Sequence, residues 1–143
     1  MIFNSDKRYF KKKLQAIHYS ILDLEFKRFK TLELREGVRK EYDHLRSRLE
    51  VLGNEIQKES LLQKTKDEQI VRMSVDEFKR LEDQKVLIER DIERMITQMK
   101  QLDMEVNGSK ATENMPEGYT GISNQLDGLR ELSAMVKEYI AQM

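Results

Sequence analysis

Residues 74–106 read SVDEFKRLEDQKVLIERDIERMITQMKQLDMEV. Within this stretch Phe78, Leu81, Lys85, Ile88, Ile92, Met95, Met99, Leu102 and Val106 recur at alternating steps of three and four. That spacing lays one seam along an α-helix, apolar everywhere except at Lys85. The helix start is written in as well. Ser74 and Glu77 form S-x-x-E, a capping box that satisfies free backbone N–H groups, and Asp76 sits in the positive first turn.

Upstream, a first seam begins with Phe10, Leu14, Ile17, Ile21 and Leu24, and resumes with Val38, Tyr42, Leu45, Leu49, Leu52 and Ile56. Counting through Arg28, Thr31 and Arg35 keeps the frame, so one helix is expected from about residue 5 to the mid-60s. In its middle the seam is polar and the apolar residues swing to Leu22, Phe26, Phe29, Leu32 and Leu34. An apolar surface that wide predicts contact with more than one neighbouring helix over residues 14–34. Gly37 and Gly53 are soft spots that weaken this helix by roughly 1 kcal/mol each against Ala and need not break it.

The second seam is offset by one residue from the first, which makes the two arms separate helices. A turn is expected within 64–74, with a short extended piece at 70–73. Residues 107–121, NGSKATENMPEGYTG, hold three Gly and the only Pro and read as a flexible loop. Ile122, Leu126, Leu129, Ser133, Val136, Ile140 and Met143 then mark a closing amphipathic helix over 122–143. Five Met (Met95, Met99, Met104, Met135, Met143) are read as seam fillers.

The predicted fold is therefore all-α and elongated. Residues 1–106 form an antiparallel coiled-coil hairpin with a long N-terminal helix, and residues 122–143 add a separate C-terminal amphipathic helix. With a turn near 70, partner residues sum to about 140, placing the end of the second arm opposite residue 34 and leaving residues 5–33 for the closing helix. Charge agrees: residues 1–72 hold 17 Lys+Arg against 12 Asp+Glu, whereas residues 73–143 hold 9 against 14. A parallel self-dimer, each arm meeting its own copy, is the competing arrangement.

Composition narrows function mostly by exclusion. Charged residues make up 36% and hydrophobic ones 38% of 143 residues, the balance of long helices rather than of a large compact core. Without Cys there is no disulfide framework, thiolate zinc site or cysteine nucleophile. No apolar run approaches the ~20 residues of a membrane span. At the N-terminus, apolar MIF precedes the charges, the reverse of a signal peptide. The expected setting is intracellular, cytoplasmic or nuclear. Glu41 and His44 form E-x-x-H, one unit of a di-iron site, but His18 has Gln15 three residues before it, so the second unit is missing. No phosphate loop, H-E-x-x-H or G-x-S-x-G occurs. No enzyme, cofactor or metal site is expected, and no stretch carries a family signature.

What the residues do favour is a scaffold or adaptor subunit that joins a larger assembly by helix packing. Its expected contact residues are Leu14, Ile17, Ile21, Leu22, Leu24, Phe26, Phe29, Leu32 and Leu34, with Ile122, Leu126, Leu129, Val136 and Ile140 of the closing helix. Protein partners are expected in a hetero-oligomer rather than a homo-oligomer. Polar seam positions Arg28, Thr31, Arg35, Glu59, Gln63, Lys66 and Lys85 either set register and partner or mark places where nothing packs. The alternative reading starts from KRYFKKK at 7–13, where Lys7, Arg8, Lys11, Lys12 and Lys13 form a basic patch beside Tyr9 and Phe10. Nothing acidic in the expected hairpin faces this patch, which reads first as a solvated helix face; among outside partners it suits an acidic protein surface, then nucleic acid, and a membrane surface last.

Overall fold

The computed structural model describes residues 4–65, 72–108 and 121–143. It is all-α. The elements are α1 (Asn4–Gln63), α2 (Val75–Asn107) and α3 (Ile122–Ala141), and among the described residues there is no strand. The long first arm is thus one helix, with Asp6 in its first turn, where the helix dipole favours an acid. Its last carbonyls are taken by tighter bonds, from Lys64 N–H to Leu61 O and from Thr65 N–H to Leu62 O. At the start of α2, Ser74 Oγ accepts from Glu77 N–H at 3.2 Å, the Ser half of the capping box. Seam position Lys66, the first half of the extended piece expected at 70–73, and the interior of the 107–121 loop lie outside the described residues.

The chain divides into two compact units, residues 36–99 and residues 1–35 with 100–143. In the 36–99 unit, Leu45 and Leu52 of α1 are buried in one cluster with Ile88, Ile92 and Met95 of α2. Val38, Tyr42, Leu49, Ile56, Leu81 and Ile96 pack against that cluster. Each fully buried aliphatic side chain contributes roughly 1.5–3 kcal/mol, so this seam holds the unit together. Polar Glu59 is buried in the same frame, and its carboxylate accepts the Met73 N–H at 2.7 Å. Lys85 is half-buried and lies 3.9 Å from Glu89 on the next turn.

The other unit brings the first half of α1 together with the end of α2 and with α3. Phe10 meets Tyr139 edge-to-face at 4.9 Å, His18 Nε2 lies 3.1 Å from Ser133 Oγ, and Arg130 donates to Glu25 at 3.0 Å. Contacts that rise along α1 fall along α3, so the two helices run antiparallel. Arg35 donates from Nε and Nη2 to the two carboxylate oxygens of Asp103, at 3.1 and 3.4 Å. Val106, Ile122 and Leu126 supply the buried apolar residues, and Leu126 is fully enclosed. Thr31 and Ser133 are buried beside them, with the Thr31 hydroxyl donating to Lys27 O at 2.8 Å. Among the described residues, no buried side-chain polar atom lacks a hydrogen-bond partner.

Two glycines lock the junction between α2 and α3. Gly108 has φ 78°, and its N–H bonds Met104 O at 2.7 Å, which is the left-handed cap that glycine makes at least cost. Gly121 is buried against this cap. A Cβ there would stand 2.6 Å from Val106 O and closer still to Gly108 N, so only hydrogen fits.

Candidate interaction surface

The inward frame of α1 continues through its polar middle. Leu14, Ile17, Ile21, Leu24, Arg28 and Arg35 are half-buried and Thr31 is buried, whereas Leu22, Phe26, Phe29, Leu32 and Leu34 are exposed. The expected contact residues therefore separate into two groups. Leu14, Ile17, Ile21 and Leu24 face the chain's own unit, as do buried Ile122 and Leu126 and half-buried Leu129, Val136 and Ile140. The five exposed residues lie outside the buried clusters, and Lys30 Nζ stands 5.5 Å over the Phe26 ring.

Tyr19 joins the exposed group, and it reveals an order missed in the sequence reading. Tyr19, Leu22, Phe26 and Phe29 step by three, four and three, which places them on one face of α1, opposite the buried frame. Their exposures are 61, 59, 63 and 62%. The regular spacing was visible in the sequence; the competing inward frame hid it, because both share one helix. Met135 and Met104, read as seam fillers, are exposed as well, while Met95 is buried. Neither exposed Met occupies a seam position, so periodicity outweighs apolarity in deciding which methionine goes inside.

Lys7, Arg8, Lys11, Lys12 and Lys13 are all exposed, and among the described residues none has an ion pair within 4.0 Å. Lys13 Nζ lies over the Tyr9 ring at 5.5 Å. Arg39, by contrast, bonds both Glu36 and Asp43, and the Glu36 bond first of all raises its guanidinium further above the usual range. His44 is exposed and lines an open groove of about 330 Å³ with Ser47, Arg48, Val51, Glu55 and Gln84. Among the described residues no three His, Cys, Asp or Glu side chains converge as metal ligands, and no helix is long and apolar enough to cross a membrane.

No family model, curated protein or solved structure matches this chain.

Proposed function

We propose that this chain is a non-enzymatic scaffold or adaptor subunit that joins a protein assembly through helix packing. The observation that carries the reading is the Tyr19–Leu22–Phe26–Phe29 stripe. A face of four large apolar side chains at seam spacing, each more than half exposed, is expensive to leave in water and suits a further helix. A hetero-oligomer is favoured, since the buried polar frame gives the chain an interior of its own and the stripe stays available for another protein.

The 36–99 unit supports a more specific form, an antiparallel coiled-coil hairpin serving as the rigid part of the scaffold. Leu52 and Ile88, whose numbers sum to the expected 140, line one groove, and Glu55 and Gln84 line it with them. The bond between Glu59 and Met73 has the same sense.

The test is affinity purification of the full chain with cross-linking, run beside a Phe26→Asp/Phe29→Asp variant. A partner retained by the native chain and lost from the variant is expected. A stable monomer by light scattering, with the same retained proteins for both forms, would sink the scaffold reading. Nucleic-acid association is the second reading, favoured by the exposed basic cluster around Tyr9. Binding of a random-sequence duplex with a steep salt dependence, abolished by Lys11→Glu/Lys12→Glu/Lys13→Glu, would establish it.

A further inference from the structure

The apolar stripe and the basic patch belong to one face. Extending the stripe towards the N-terminus in the same alternation gives Gln15, Lys12 and Arg8, with Lys11 on the same side. The outward face of α1 is thus basic for its first turns and apolar for the next three. Each of these residues is exposed. We infer that this face docks an amphipathic helix of another protein, one whose apolar stripe covers Tyr19–Phe29 and whose adjoining turns carry acidic side chains opposite Arg8, Lys11 and Lys12. This rests on the helix-docking reading above and specifies the chemistry of its partner.

Three arguments select that occupant. The first is charge: the basic residues lack ion pairs among the described residues, so acidic turns would gain their attraction without breaking an existing pair. The second is area. The four stripe side chains expose on the order of 500 Å² of apolar surface. Covering them with a helix, and adding the basic turns on both partners, reaches the roughly 1,200 Å² at which specific interfaces begin.

The third is the pattern of charge, which disfavours the other occupants. A second copy in parallel would set Arg8 and Lys12 against themselves. An antiparallel copy centred on Leu22 and Phe26 would bring them to residues 36–40, which are net basic through Arg39 and Lys40. For an anionic membrane, Asp23 lies on a flank of the stripe, where it would meet like charge.

The experiment uses the full chain and a labelled, designed helical peptide of about four heptads. Leu and Ile occupy the seam of three heptads, and a terminal heptad carries Glu, built at either end in two versions. Twins with Lys in place of Glu serve as the comparison. By fluorescence anisotropy in ~0.05 M salt, one Glu peptide is expected to bind at least about tenfold more tightly than its Lys twin, and the gap to shrink in ~0.5 M salt. Phe26→Asp/Phe29→Asp should abolish binding of both with an unchanged circular-dichroism spectrum, and Lys11→Glu/Lys12→Glu should reverse the preference.

Equal binding of Glu and Lys peptides, lost in the Phe variant, overturns the acidic partner and leaves helix docking standing. Failure of every peptide overturns both. Self-association in sedimentation velocity that Phe26→Asp removes assigns the face to a second copy instead. Binding to phosphatidylserine vesicles that the same change removes assigns it to a membrane, and either result overturns the inference.

Discussion

From Val38 to Ile56 the inward frame of α1 is apolar, with Leu45 and Leu52 buried against α2, and Val51 is the large apolar side chain left exposed. From Phe10 to Arg35 the same helix turns Arg28, Thr31 and Arg35 inward and leaves Tyr19, Leu22, Phe26 and Phe29 outside. The two lengths share one frame and differ in what fills it. Where two helices form the unit, an apolar seam is the main source of cohesion. Where three helices meet, Ile122, Leu126 and Val106 supply apolar burial from other elements, and the α1 frame can be polar if every polar group is answered. Residues on the outer face are then free to be selected for something other than folding.

The contrast can be tested by substitution, beginning where the effect is largest. Leu126→Ala and Ile92→Ala each remove a buried aliphatic from one unit, and each is expected to cost about 3 kcal/mol in urea unfolding monitored by circular dichroism. A much smaller loss at Leu126 would mean that the polar frame of α1, rather than the α3 seam, holds its unit together. Gly121→Ala forces a methyl into the backbone of the α2 cap. A loss of about 2 kcal/mol is expected, read as a lower Tm, with protection of α3 amides in hydrogen exchange falling first.

Glu59→Ala tests the polar member of the otherwise apolar frame. Removing the acceptor of the Met73 N–H should cost about 1.5 kcal/mol in the same unfolding assay, and Glu59→Gln, which keeps an acceptor, less. If Glu59→Ala is neutral, the bond does not anchor the start of α2. The smallest effect on stability is predicted for Phe26→Asp, within about 0.5 kcal/mol of the native chain, because the ring is mostly exposed. A large destabilisation there would erase the distinction between the two faces.

Helix existence, number and order were legible in the sequence, because alternating three- and four-residue steps survive over many turns and Ser74 marks a boundary chemically. That α3 packs along the first part of α1 was expected only from lengths; its direction and contacts come from Tyr139, Ser133 and Arg130 acting on Phe10, His18 and Glu25. Those pairs could not be foreseen. A histidine and a serine more than a hundred residues apart carry no mutual signal, and an ion pair such as Arg130 with Glu25 is one of many sterically allowed.

The candidate surface was half legible. Leu22, Phe26 and Phe29 stood out as apolar, yet apolarity alone did not say whether the chain's own helices would cover them. That depended on whether Arg28, Thr31 and Arg35 could be accommodated inside. Thr31 is answered within α1 by Lys27 O, but Arg35 needs Asp103 of α2, which is not readable from α1 itself.

The contact of Gly121 with the cap at Gly108 has a consequence for how the chain can be altered. Because the two ends of residues 109–120 are pinned side by side, the helices are indifferent to how much chain runs between them. Doubling the length of that connection should cost only about 0.6 kcal/mol in closure entropy. This junction is therefore the place to insert a fluorescent reporter or an affinity handle, well away in sequence from the outward face of α1 that the binding experiments must leave intact.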